Sequence, residues 1–335
     1  MGQSPRALAW SEVSPTDSLV GKKENLAEPS RVVEVFRYVR KSMRWADGFI
    51  AVDWGTTNRR AYLIDSDGKQ AGEFEDGKGI LSVPPGRFPS AIAEIRGKLG
   101  DKPLLMAGMV GSNRGWKEAP YVECPAGIDE LATHLVWPGE RDAIIPGLSY
   151  LGDGRADVMR GEEVQLLGAV AAGLVESDAL VCHPGTHNKW TVLHRGQIQS
   201  FRTVMTGEIF SLLKDHSILS DLLQGKVSDN EVFRNAAREA IFNEMLPAEL
   251  FSVRSRVLLG QMKREDAASY ASGLLIGTDV RIGLSVPAAA QVLVMGRPDL
   301  TKLYVAALGE AKREARELDG EQCFLAGIQE IAKRI

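Results

Sequence analysis

Cysteine is scarce, with only Cys124, Cys182 and Cys323 among 335 residues. The three are far apart and odd in number, and none forms a CxxC pair. Neither a disulfide framework nor a cysteine zinc site is expected. A reduced, cytoplasmic setting fits that usage best. Long apolar runs are also missing. None reaches the roughly 18 residues of a membrane-spanning helix, and the first residues lack the apolar core of a secretory signal. There is no excess of positive charge: the net charge is −4, which argues against general binding to nucleic acid or an anionic membrane. A local basic site for an anionic substrate stays open. No Walker A pattern occurs, and no GxGxxG follows a strand, so P-loop and Rossmann readings are disfavoured.

The length suffices for one large domain or two ordinary ones. Hydrophobic residues at 44% and charged residues at 25% are ordinary for a globular protein. Residues 1–42 are polar at their start, rich in Ser, Pro and Glu, and are expected to form a disordered extension. The folded protein is expected to begin near Met43. From there the pattern predicts strands at 49–53, 60–65, 70–76 and 103–109, and a helix at 88–99. A loop rich in Gly, Pro and aromatic residues covers 110–127. A strand at 141–149 and a long helix at about 157–174 follow. Further strands are expected at 178–185, 189–196, 197–204 and 291–296. Further helices are expected at 206–224, 229–245, 247–258, 265–285, 299–315 and 321–334.

Two stretches share the pattern G-T-x-N: Gly55, Thr56, Thr57, Asn58 and Gly185, Thr186, His187, Asn188. Each follows an apolar strand and precedes two more strands. The match in context predicts two related domains, each opening with an antiparallel meander and continuing with helices. The boundaries expected are 43–175 and 176–335. A turn of Gly, Thr and Asn brings backbone N–H groups close to a ligand and makes a concave anion site. Two such turns facing each other would grip the β- and γ-phosphates of ATP. Asp53, ending the first strand, is placed to hold Mg²⁺ through water, since magnesium keeps several waters and takes few carboxylates. Lys189, just past the second turn, would neutralise phosphate charge, and His187 would donate to phosphate. The plain alternative for each turn is an ordinary hairpin.

DWGTTNRRAYLID (53–65), GMVGSNRGWKEAPYVECPAG (108–127), DVMRGEEVQLLGA (157–169), PGTHNKW (184–190), FRTVMTGEIFSLL (201–213) and MGRPDLTKLYVAAL (295–308) together resemble the 2-dehydro-3-deoxygalactonokinase family. That family lies within the superfamily of sugar kinases, Hsp70 and actin. The resemblance runs from about Gly48 to the end, with Asn113 and His183 as local departures. It implies an α/β chain of two ribonuclease-H-like domains, the actin-like ATPase fold, with a nucleotide cleft between them. It also implies ATP-dependent phosphorylation of 2-dehydro-3-deoxy-D-galactonate at its 6-hydroxyl, with Mg²⁺ and with a homodimer open as an assembly. A kinase for another sugar acid, such as 2-dehydro-3-deoxygluconate, and a non-metabolic ATPase switch are the alternatives.

Phosphoryl transfer needs a carboxylate to take the proton of the accepting alcohol. The superfamily places one at the start of the helix before the second phosphate hairpin. Asp157, Glu162 and Glu163 are the candidates, with Glu162 favoured and Asp157 second; helix capping is the bland role for each. The acid substrate needs a cation and many donors, and the loop at 111–121 offers Ser112, Asn113, Arg114, Trp116, Lys117, Glu118 and Tyr121. Arg114 would clamp the carboxylate and Trp116 would pack on the carbon chain. Thr206, Gly207 and Glu208 either complete the site or cap a helix. Arg59 and Arg60 are further candidates for touching substrate or phosphate. Gly296 is the expected adenine-side turn. The Ser272-Gly273 and Ile276-Gly277 steps either line the nucleotide or pack helices. The neighbours Cys182 and His183 point to opposite faces of a strand, which disfavours a joint nucleophile or metal role.

Overall fold

The computed structural model describes Trp45, residues 47–286 and residues 291–335. The expected extension at 1–42 lies outside the described residues. Two five-stranded sheets dominate. The first is built from β1 (Phe49–Trp54), β2 (Arg59–Ile64), β3 (Gln70–Asp76), β4 (Leu104–Gly108) and β6 (Asp142–Ile144), in the order β3-β2-β1-β4-β6. β1 runs antiparallel to β2 and parallel to β4. The second sheet holds β9 (Ala179–His183), β10 (Asn188–His194), β11 (Gln197–Val204), β12 (Gln291–Gly296) and β13 (Glu314–Asp319). Its order is β11-β10-β9-β12-β13, again with an antiparallel meander followed by parallel strands. The repeat predicted from the two G-T-x-N turns is therefore a repeat of topology. Both sheets have the ribonuclease-H-like order, and the pair makes the actin-like ATPase fold.

Strand β1 reads as continuous apolar sequence because both of its faces are covered. Ile50, Val52 and Trp54 pack with Phe88, Ile92 and Ile95 of helix α1 (Phe88–Leu99). Phe49 and Ala51 face a second core, which also takes Val181, Phe201 and Met295 from the other sheet. That shared core takes Leu131 of α2 (Ile128–Thr133) and is filled by α3 (Glu162–Ala171) and the last helix, α9 (Gly320–Ala332). The two helices meet backbone to backbone. A Cβ on Gly327 would stand 2.0 Å from the Val164 carbonyl oxygen, and one on Gly168 would stand 1.9 Å from that of Cys323. A backbone oxygen cannot yield as a flexible side chain can. Gly327→Ala is accordingly expected to cost about 1–3 kcal/mol of stability, read as a lowered midpoint in urea; an unchanged midpoint would show that the helices part freely.

Helices α5 (Glu231–Phe242), α7 (Ala267–Leu284) and α8 (Pro298–Glu310) cover the outer face of the second sheet. Helices α4 (Thr206–His216) and α6 (Leu246–Leu258) extend that layer. No helix among the described residues is long and apolar enough to cross a membrane.

Three expected helices need correction, the one at 206–224 because α4 ends at His216 and only a short 3-10 turn follows at Ser220–Leu222. The segment at 157–174 starts as a strand: β7 (Leu148–Gly152) and β8 (Arg155–Met159) form a hairpin, and β5 (Val122–Glu123) joins it in a small third sheet. The turn places Asp153 and Gly154 at positive φ, 53° and 70°, the backbone that Asp-Gly turns favour in two-residue hairpins. Helix α3 begins only after Gly161, whose φ is 109°. The helix expected at 299–315 stops at Glu310, and the chain returns as β13. This edge strand buries only Leu318, so its charged sequence hides its strand character.

Candidate active site

Asp53, the last residue but one of β1, stands directly opposite Arg60 of β2. Both line a cleft of about 600 Å³ shared with Gln165, His183, Gly296 and Thr301. Burial pushes the Asp53 carboxyl up to about 6; Arg60 pulls it down, and the Glu162 charge adds to the rise. The adjacent Arg59 points to the opposite face. It is buried, forms a two-pronged ion pair with Asp76 at 2.9 and 3.0 Å, and reaches Glu94 at 3.1 Å. Its guanidinium is buried on the face turned from the cleft and held there by these two carboxylates, which overturns the expectation that it reaches substrate or phosphate. Beyond Asp53, Thr56, Thr57 and Asn58 are exposed at the turn tip and Gly55 is half-buried. The Gly55, Thr56 and Thr57 carbonyls accept N–H groups from residues 79–81. The loop is thus pinned from behind while its tip faces outward.

The second hairpin repeats the geometry with other side chains. His183 of β9 stands opposite Lys189 of β10. The Lys189 ammonium is buried, 3.2 Å from Glu162 Oε1, and donates to the His187 carbonyl at 3.2 Å. His183 Nε2 lies 2.8 Å from Gln165 Oε1, and burial holds that imidazole below its usual pKa. Gly185 is half-buried, and Thr186 and His187 form the exposed tip. His187 Nε2 sits 2.5 Å from Glu208 Oε2, in the first turn of α4. Glu208, expected on the sugar-acid side, is thus bound to the tip of the second G-T-x-N hairpin. Asn188 also differs from expectation. It is fully buried, and its side-chain amide donates to Asp279 rather than facing the cleft, unlike the exposed Asn58.

The three candidate carboxylates separate by environment. Glu162 heads α3 and accepts from the Arg160 N–H at 3.1 Å. Burial would raise its pKa, but the Lys189 ammonium prevails and holds the carboxyl below the ordinary range. Glu163 points into the core, where both oxygens accept from the Gly161 N–H at 2.8 and 2.7 Å. Burial, reinforced by the Glu162 charge, pushes it up to about 8. Asp157 is not at a helix start. It lies on β8 and accepts from the Thr203 N–H at 2.7 Å and the Thr203 hydroxyl at 2.6 Å. Its oxygens staple β8 to β11, which corrects its place as second candidate base.

In the loop at 111–121, the Ser112 hydroxyl donates to the Met109 carbonyl at 2.8 Å and accepts from the Arg114 N–H at 3.3 Å. Ser112 therefore shapes its own turn. Trp116 packs against the core of the first sheet. Asn113 and Arg114 are exposed. Tyr121 is exposed on one side and carries Arg160 over its ring at 4.3 Å. Arg160 is about nine-tenths buried and donates to the Ala119 carbonyl at 2.7 Å, while its Nε and Nη1 have no partner. It joins this loop to the Glu162 turn. The sequence reading missed it, although the Arg-Gly-Glu-Glu run was the signal available.

A second cavity, about 300 Å³ and more apolar, opens beside Gly185 between α4, α7 and α8. Ser272, Ile276, Leu300 and Tyr304 line it. Gly273 and Gly277 turn the other way: a Cβ would stand 2.4 Å from the Phe233 oxygen and 2.3 Å from that of Ala237. Each small-residue step is therefore divided, one residue lining the cavity and the other packing against α5. Gly296, expected as the adenine-side turn, lines the cleft with Asp53 and Arg60 and not this cavity. Among the described residues no group of three His, Cys, Asp or Glu side chains could hold a metal alone. A lone desolvated carboxylate such as Asp53 still suits a magnesium ion whose other ligands are phosphate and water.

The model of the 2-keto-3-deoxy-galactonokinase family matches residues 53–331. The 2-dehydro-3-deoxygalactonokinase of Escherichia coli K12 is 37% identical over 292 residues, spanning 86% of this chain and 98% of the relative. A solved structure of a candidate 2-dehydro-3-deoxygalactonokinase from Sinorhizobium meliloti is 33% identical and superposes with a TM-score of 0.80, over 85% of this chain and 98% of that one. The chain belongs to the 2-keto-3-deoxy-galactonokinase family.

Proposed function

We propose that the protein transfers the γ-phosphoryl group of ATP to the 6-hydroxyl of 2-dehydro-3-deoxy-D-galactonate, giving the 6-phosphate and ADP. The observation that carries this reading is the convergence of Asp53, Lys189 and Glu162 between two exposed Gly-Thr turns. A chemically competent site of this kind needs phosphate donors, a cation and a proton acceptor together. The turns at 55–58 and 185–188 hold the phosphates through backbone groups, and Lys189 offsets their charge. Base and ribose occupy the apolar cavity beside Gly185. Glu162 accepts the proton of the 6-hydroxyl as its oxygen bonds to the γ-phosphorus and the bond to the β-phosphate oxygen breaks. Asp53 would hold Mg²⁺, which supplies charge neutralisation on the phosphates. Arg114, Asn113 and Tyr121 are the exposed groups from which the sugar acid draws its contacts.

Residues 43–175 and 176–335 act as two lobes, and their closure excludes water from the γ-phosphate. The buried thiols Cys182 and Cys323 suit a reducing cytoplasm. The test is ADP release measured across a panel of 2-keto-3-deoxy acids. Turnover is expected with the galactonate-derived acid. No ADP from that acid, with turnover of the gluconate-derived epimer, would move the assignment to another sugar acid on the same site.

A further inference from the structure

Asp279 sits within α7, and its carboxylate is wholly buried. Four side chains donate to it. Asn188 reaches both oxygens at 2.9 Å, Trp190 Nε1 lies at 2.7 Å, and the Thr206 and Tyr304 hydroxyls each lie at 2.5 Å. None of the four is a cation. A buried carboxylate is costly unless its lone pairs are filled, and a cluster this complete is rigid.

The donors lead to the two halves of one ligand site. Asn188 ends the second phosphate turn. Thr206 opens α4, and the next residue, Gly207, packs so tightly on that turn that a Cβ would stand 2.5 Å from the Gly185 oxygen. Thr206 and Tyr304 also line the apolar cavity. Asp279 itself lines neither cavity. We infer that Asp279 is a positioning residue that fixes the second phosphate turn against the base cavity, so that a single nucleotide engages both at once. The inference rests on the nucleotide reading above. It assigns Asp279 to nucleotide affinity and not to the sugar acid.

Asp279→Asn keeps the shape but turns one acceptor into a donor facing donors. On the full chain, calorimetry with ADP alone is expected to show a Kd raised about 10- to 100-fold, the scale of a misplaced binding group. KM for ATP should rise with it, while KM for the keto acid stays unchanged. A merely structural defect would lower the fraction of binding-competent protein and leave Kd unchanged, which would overturn the inference. ADP bound equally tightly by both forms would overturn it alone. ADP bound by neither would overturn the nucleotide reading and this inference together. If Asp279→Asn does not fold, Tyr304→Phe decides. It removes one donor and keeps the ring, and the same Kd is expected to rise severalfold; an unchanged Kd would overturn the inference.

Discussion

Glu162→Gln is expected to lower kcat by about 10²- to 10⁴-fold, the usual worth of a positioned general base, with small changes in either KM. Glutamine keeps the volume and can still accept from the Arg160 N–H, but it cannot take a proton. Lys189 holds the native carboxyl ionised, so the acceptor is ready across the neutral range. The neighbour provides the control. Glu163, pushed up to about 8, is already protonated at pH 7, and Glu163→Gln replaces one neutral group by another. That variant should retain most of its turnover and stability. Steady-state kinetics on the two variants separate a base from a fold defect. Full activity in Glu162→Gln with loss in Glu163→Gln would reverse the assignment.

Asp53→Asn is expected to be nearly inactive yet more stable than the native protein at pH 7. The carboxyl is pushed up to about 6 in the folded chain against an ordinary 3.8. The folded state therefore holds its proton to higher pH than the unfolded state does. Stability falls as pH rises from about 4 to 6, and the ionised form carries the full cost above that window. An amide removes the cost, so urea unfolding at pH 7 should show a higher midpoint. The same titration should make kcat/KM of the native enzyme decline below about pH 6, as Asp53 takes up the proton that excludes a cation. Normal turnover in Asp53→Asn would refute the magnesium role. A destabilised variant would refute the desolvation account. A gain in stability with loss of activity is the pattern of a strained functional site.

Much of the fold was legible because strong periodicity coincided with turn signals. Helix α1 and strands β11 and β12 fall where the pattern puts them, since their apolar positions face one core or two. The β7–β8 hairpin was not, because the hydrophobic stretch after it blended into α3. The positive φ of Asp153, Gly154 and Gly161 separates them, and only the Asp-Gly pair announces it. Strand β13 was hidden by edge charges. The candidate site was legible where short motifs mark the chain: the Gly-Thr tips are exposed, and Asp53, Lys189 and Glu162 lie close beside them. It was illegible where partners are remote in sequence. Asn188 looks like Asn58 until Asp279, 91 positions away, claims its amide. Asp157 looks like a helix cap until Thr203, 46 positions away, fills its oxygens. Arg59 and Arg60 are equal on the page, and strand alternation sends one into the core and the other into the cleft.

The most direct measurement is phosphorus and proton NMR of the product made by the native enzyme from ATP and 2-dehydro-3-deoxy-D-galactonate, with ADP counted in parallel. The account predicts one phosphoester per ADP, with the phosphorus coupled to the protons on carbon 6, and its loss in Glu162→Gln. Inorganic phosphate with no phosphoester, or phosphate on another carbon, would contradict it.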